Sequence, residues 1–433
     1  MARVVVAGGG LGGMASAARL AKLGHDVTLV EARDALGGAL VATAVDGFAW
    51  GPTSTLLPAV LRDLFRKTGR PLERELELTP LEVVREHRFT DGSSVRLPGG
   101  SRAAQLRAVE ALGPGLGDRW IALLDELASD WEMVRRGWAE VPYDDATATP
   151  ELRHRLATRT SVHRRIARLG DPRLRLLATD PLVSAGQDPR RVPAWLAVWP
   201  YLEQCFGAWR VTGGLPAVAA ALGSRLATRR VTVELDTRVL DVAVRGGRAV
   251  GVTTDRGDLD ADVVVCAVDP RLLPALAGHV RRTRPVEPSD RTHLGLRPDP
   301  ASDVGESVGK VVWHGRTDVT VHPGTDAPDG LVAVTLEHRG HGVDPLDALA
   351  EHGPDLRDRV VARVDDPAAG QVARWSGSPW GVQWRGRGTL RHRLGPGTPV
   401  PGVLAAGAHA TPGAGVPFVG LSAALVAQTL GPA

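Results

Sequence analysis

The chain has 433 residues, too many for one compact core, and its apolar (43%) and charged (23%) fractions are those of an ordinary globular protein. A formal net charge of +3, with arginines scattered among nearly as many acids, excludes the basic stripe of a nucleic-acid binder. No apolar run approaches the roughly 18 residues of a membrane span. Cys205 and Cys266 show no metal-ligand or disulfide spacing, so no metal is expected and a reducing cytoplasm is the expected setting.

In chain order, Arg3–Ala7 reads as a buried strand because Val4, Val5 and Val6 form a continuous apolar run, as in a parallel strand covered on both faces. Glycines 8 to 13 make a turn, residues 14–23 a helix of small side chains that Gly24 ends, and residues 27–30 a second strand closing on Glu31. From about 55 to 200 the pattern is mostly helical. Leu116, Trp120, Leu123, Leu127, Trp131, Val134 and Trp138 draw one apolar stripe, which either packs on the protein's own core or lines a tunnel or membrane face. Beyond Gly213 a helix is expected over 215–226 and strands over 232–235, 238–244, 249–254 and 261–267. Residues up to about 390 read as loop-rich, and the end reads as strand 402–406, a Gly/Pro loop to 417, then helix 421–430. The expected class is α/β: a discontinuous Rossmann-like domain (1–65, 203–270, 391–433) with an inserted α+β substrate domain (66–202, 271–390).

Gly8, Gly10 and Gly13 follow a strand and open a helix, the setting of a dinucleotide fingerprint. Gly8 serves the tight turn, Gly10 the approach of backbone to a pyrophosphate, and Gly13 the close packing of helix on strand. Glu31, ending the second strand, is placed to accept hydrogen bonds from ribose hydroxyls and would repel a 2′-phosphate. These residues disfavour NADP and leave FAD and NAD open.

Two further features bear on that choice. Glu31-Ala32-Arg33 followed by Gly37-Gly38 resembles the extended fingerprint of the large FAD family that includes phytoene desaturases and amine oxidases. Gly407, Pro412-Gly413-Ala414-Gly415-Val416-Pro417 and the apolar helix after them resemble its closing segment, where a helix N-terminus points at the flavin ring. The segments Phe48-Ala49-Trp50-Gly51-Pro52-Thr53, Phe206-Gly207 with Trp209, and Gly213-Gly214 resemble the bacterial phytoene desaturase type more narrowly. The resemblance implies FAD as cofactor, held by Gly8, Gly10, Gly12, Gly13, Glu31, Ala32, Arg33, Gly37, Gly38, Val239, Gly407 and Val416. It has departures. Ala39 stands where amine oxidases usually carry Arg, Thr411 where many carotenoid desaturases have His, and Val211 where Pro is frequent.

The same resemblance implies a desaturase or dehydrogenase of an apolar isoprenoid that passes hydride to flavin N5. Oxygen or a quinone would be the electron acceptor, and the protein would be cytoplasmic, with peripheral contact at the inner face of the membrane. The alternatives are a flavin amine oxidase, which needs an aromatic cage that Tyr143 and Tyr201 alone would supply poorly, and a flavoprotein that binds isoprenoids or a partner enzyme without turnover. His409 and Glu203 are the candidate proton acceptors, each with a plain structural reading beside it: a loop histidine bonded to backbone, and a carboxylate paired with an arginine. Trp380 and Trp384 are expected either in a pocket wall or in packing, and both cysteines as small buried residues.

Overall fold

The computed structural model of the protein describes residues 1–300, 307–340 and 342–433. Strand Arg3–Ala7 is central in a five-stranded parallel sheet ordered Thr232–Glu234, Asp26–Val30, Arg3–Ala7, Val263–Cys266, Val403–Ala405. A parallel sheet has both faces covered, and alternate residues here serve different cores. Val4, Val6, Leu29 and Val265 pack under helices Leu11–Lys22, Pro58–Thr68, Gly214–Thr228 and Val416–Leu430. Val5, Val30, Val264 and Cys266 face a three-stranded antiparallel sheet and helix Pro274–Val280. The architecture is α/β and Rossmann-like.

Two boundaries differ from the sequence reading in a way that matters for the site. The first helix begins at Leu11, directly after Gly10, so Gly12 and Gly13 lie inside its first turn. The last helix begins at Val416, five residues before the expected 421, with Pro417 in its first turn. Proline is at home there because its missing N–H would have no intrahelical partner.

The stretch read as loop-rich contains most of a second sheet. Its seven strands run Val360–Asp366, Asp290–Leu296, Val332–His338, Val319–Pro323, Val311–Trp313, Val83–Arg88, Ser94–Pro98. Strands from the two separated parts of the chain meet in one parallel pair, Val311 opposite Glu86. The sequence pattern concealed these strands. Asp290–Leu296 carries Arg, Thr and His at sheet positions, and Gly295 is there because the Phe48 ring occupies the space a Cβ would need.

The rest of the inserted part is a helical layer. Every residue of the Leu116-to-Trp138 stripe is buried, six in the core of this layer and Trp131 in the neighbouring cluster with Phe418, so the stripe packs inside the protein, as the first of its two readings has it, and not on a membrane. Helix Leu116–Val134 continues through a wider turn, marked by the Glu140 N–H bonding the Arg135 carbonyl at 2.9 Å. Trp138 there meets Trp195 and Trp384 edge to face, with centroids 5.2 and 6.1 Å away. Five of the eleven tryptophans, Trp120, Trp131, Trp138, Trp195 and Trp384, are buried around this layer. Cys266 is buried, but Cys205 is exposed, contrary to expectation. It falls on the outward side of helix Trp199–Phe206, whose inward side carries Leu202 and Glu203.

Candidate functional site

Three glycine segments converge at the carboxyl ends of the parallel strands. Gly10 caps the first helix in extended conformation, with no side-chain cap and no acid in the first turn, so the positive helix end stays open to an anion. A Cβ on Gly13 would overlap the Gly8 carbonyl oxygen, so only glycine lets helix and strand lie this close. A Cβ on Gly38 would stand 2.9 Å from Gly10 Cα, and one on Gly12 would stand 2.7 Å from Gly407 Cα. The Gly37 N–H donates to the Gly9 carbonyl at 2.9 Å and ties the second glycine pair to the first turn. The result is a cradle of bare backbone that side chains would fill.

Glu31 sits at its rim, half-buried. Its carboxylate accepts the Gly9 N–H (2.6 Å) and the Arg33 N–H (3.0 Å), one on each oxygen, which fixes its orientation and leaves further lone pairs for hydroxyl donors. Ala32 is exposed, and the Arg33 guanidinium lies 4.6 Å over the Trp375 ring, a platform that sequence reasoning did not single out. The Thr237 N–H donates to the Glu31 carbonyl, bringing Val239, at the start of the antiparallel sheet, close behind in the chain.

The C-terminal segment approaches from the other side. The Gly407 N–H donates to Ser422 Oγ at 3.2 Å, holding the loop onto its own helix. That helix also begins with no side-chain cap and no acid in its first turn, at Val416, which is half-buried. A Cβ on Gly415 would be 3.4 Å from Trp199 Cη2. Trp199 stacks edge to face on Phe418 at 4.8 Å, and Trp131, Leu57, Val198 and Leu202 complete an apolar cluster with them. Tyr201 packs on the same cluster and lines a cavity of about 900 Å³, together with the apolar Met133, Leu152 and Val141 and the charged Glu132, Arg136 and Asp144.

The two candidate proton acceptors lie in separate networks. His409, largely buried, bonds the Ser378 carbonyl through Nε2 (3.0 Å), and its Nδ1 is 3.7 Å from Asp269 Oδ1. Burial pushes its pKa down against the opposing pull of Asp269, so the ring is neutral at pH 7. Glu203 is fully buried and bonds Arg85 Nε at 2.8 Å. Burial raises its pKa while Arg85 opposes. Arg85 also reaches His87 (2.7 Å) and Asp180 (3.5 Å), Lys310 bonds Asp180 (2.8 Å), and His87 bonds His314 (2.9 Å). Burial would raise Asp180, but Lys310, His87 and Arg85 outweigh it and hold the carboxyl well below the usual range. Trp384 is packed in the tryptophan cluster, and Trp380 is half-buried beside it in the chain. Among the described residues no group of His, Cys, Asp or Glu is arranged to hold a metal ion, and no helix is long and apolar enough to cross a membrane.

A parallel sheet whose strand ends present two open helix N-termini and a backbone cradle, with an acid poised for ribose, defines a dinucleotide-binding protein. The sequence of residues 11–430 matches the family described as flavin containing amine oxidoreductase, and the chain belongs to that family. It is an FAD-dependent oxidoreductase. Among curated proteins it is 28% identical to a zeta-carotene-forming phytoene desaturase of Myxococcus xanthus, over 99% of this chain and 93% of that one. It is 29% identical to a hydroxyneurosporene desaturase of Cereibacter sphaeroides, over 99% and 97%. Among solved structures, a putrescine oxidase variant superposes with a TM-score of 0.71 at 17% identity, covering 99% of this chain and 97% of that one. An oxidoreductase of Methanosarcina mazei gives 0.69 at 18%, covering 98% and 100%. The structural likenesses establish the fold. The glycine cradle, the uncapped helix ends and the oriented Glu31 fit FAD.

Proposed function

We propose that the protein desaturates an apolar isoprenoid of the carotenoid-precursor type. The observation that carries this reading is the apolar wall that Trp131, Trp199 and Phe418 build at the first turn of the C-terminal helix, with Tyr201 packed on it. A long hydrocarbon needs such a wall, and a small polar amine does not. The desaturase relatives, matched over nearly the whole chain, support it. Bound FAD supplies the hydride acceptor.

The chain's own residues then have distinct tasks. Gly8, Gly10, Gly12 and Gly13, with Gly37 and Gly38, would hold the pyrophosphate at the first helix's N-terminus. Glu31, with Ala32 and Arg33, would hold the adenosine ribose, and Val239 the adenine. Gly407 and Val416 would hold the flavin with its pyrimidine edge towards the last helix's positive end, which would favour negative charge there. The helical layer excludes water and fixes the reacting C–H bond in place. His409, neutral and backed by Asp269, is the candidate acceptor for the departing proton. Glu203, committed to Arg85, has a structural role. Oxygen or a quinone takes the electrons away. Because such a substrate resides in lipid, peripheral attachment at the inner membrane face accompanies this reading, supported by Val141 and Tyr143, exposed at and near the cavity.

The test is anaerobic mixing of the FAD-loaded protein with phytoene or a shorter C30 analogue in liposomes, and separately with putrescine or a monoamine. Bleaching of the flavin by the polyene, with new conjugated double bonds in the product, is expected. Bleaching by an amine alone would replace this reading with the amine oxidase one. Flavin reduced by dithionite but by neither substrate would point to the non-catalytic alternative.

A further inference from the structure

Four arginines are buried among the described residues: Arg19, Arg85, Arg225 and Arg393. Three have a carboxylate: Asp63 for Arg19, Glu203 and Asp180 for Arg85, Glu75 for Arg225. Arg393 has none within ion-pair distance. Its guanidinium donates only to two backbone carbonyls, Pro412 (3.0 Å) and Val382 (3.2 Å), its Nε finds no partner, and its remaining contact is the Trp384 ring, 4.4 Å below. Burial alone pushes its pKa down to about 9, so it remains a cation at neutral pH. An uncompensated buried charge is among the costliest things a fold can retain, and this one is held against a particular segment. Pro412 and Gly413 belong to the loop that leads into the last helix, and a Cβ on Gly413 would stand 2.6 Å from Arg393 Nη1. His409, on the same loop, feels the Arg393 charge as well as those of Asp269 and Arg271.

We infer that Arg393 is a positioning residue whose counter-charge is the bound flavin in its reduced state. The inference rests on the placement of the flavin's pyrimidine edge at the 407–416 loop proposed above. A hydride brings two electrons and one proton to the flavin, so the reduced ring carries one net negative charge unless it takes up a second proton. Arg393 bonds the Pro412 carbonyl of the loop that leads into the last helix's positive end, and the two act on that charge together. A cation in a dry site stabilises the reduced anion far more than the neutral oxidised ring. Arg393 therefore makes the flavin a stronger hydride acceptor without touching the substrate.

The test compares the two-electron midpoint potential of FAD bound to wild type, Arg393→Lys and Arg393→Met, read by dye equilibration during enzymatic or dithionite reduction. No isoprenoid is needed, so a failure of the desaturase reading leaves this measurement standing. With Met the equilibrium constant for reduction is expected to fall at least tenfold, about 30 mV for a two-electron couple, while Lys keeps most of the wild-type value. A Met variant that holds FAD at the wild-type potential would overturn the inference. Should the Met variant fail to fold, the wild-type protein answers through the absorption spectrum of its reduced flavin on acidification. The anionic spectrum is expected to persist below the pH at which free reduced FAD takes its second proton, and protonation in the free-FAD range would overturn the inference.

Discussion

Gly13 has a smaller tolerance than any other residue in the cradle, because a single methyl there meets the Gly8 carbonyl oxygen rather than a side chain able to move. Gly13→Ala should force helix Leu11–Lys22 off the sheet, at about 1–3 kcal/mol for an overpacked contact. The expected result is a loss of bound FAD of tenfold or more, read from the ratio of visible to ultraviolet absorbance of the purified protein. Arg85 tests the opposite situation, a charge whose partners are all present. Arg85→Met strands Glu203 in the interior, while Asp180 keeps Lys310, and should cost about 3–5 kcal/mol in urea unfolding. Adding Glu203→Gln should recover part of that loss, and an additive double mutant would contradict the pairing. Gly8, Gly10, Gly13 and Glu31 were legible in the sequence because they fall within one strand–turn–helix–strand unit. The Arg85 network was not, since its bonds join residues 118 and 227 positions apart. Nor was Arg393: in the sequence, it is one arginine among many.

At the level of elements, the unit of strand, glycine turn and helix could be read because each part carries its own marker within 31 residues. The seven-stranded sheet could not, because its strands trade side-chain alternation for polar cross-strand partners such as Thr292 Oγ1 to Asp365 Oδ1 at 2.7 Å. The stripe on helix Leu116–Val134 was visible as a period, while its burial depended on helices that no period reveals. Trp138 is the clearest test of that burial. It lies past the end of the regular helix and is held by Trp195 and Trp384. Trp138→Ala should remove about 3–5 kcal/mol of stability. Because Trp384 also supports Arg393, it should weaken FAD retention as well. Thermal melts with and without added FAD separate the two effects.

For the whole molecule, acid sensitivity follows from histidines that the fold keeps neutral. His293 is buried against Trp50 and bonds Thr335 Oγ1. Burial and Arg291 outweigh Asp366 and Asp365 and push its pKa down to about 4 from an ordinary 6.5. Below pH 6.5 the unfolded chain takes up a proton that the folded protein refuses, so stability falls as pH drops from 6.5 towards 4. His293 alone should account for about 2 kcal/mol of loss by pH 5. His87, lowered by burial and then by Arg85, adds to this in the same direction. Denaturant midpoints at pH 7 and pH 5 measure the sum, and His293→Gln should flatten the profile. FAD acts on the same balance. At a concentration a hundred times its Kd it should add about 2.7 kcal/mol, and melting temperatures should climb with the logarithm of added FAD.

The strand order has a consequence in time as well as in space. The parallel sheet draws one edge strand from residues 403–405 and its second helix N-terminus from residue 416, while its central strand, Arg3–Ala7, leaves the ribosome well before either. Synthesis proceeds at about 5–20 residues per second. The amino-terminal strand, helix and glycine turn therefore wait some tens of seconds or more before their last neighbours exist. During that interval the emerging chain has half a nucleotide site and an open sheet edge. A complete nucleotide site exists only once residues 403–416 have emerged, so cofactor uptake waits for them.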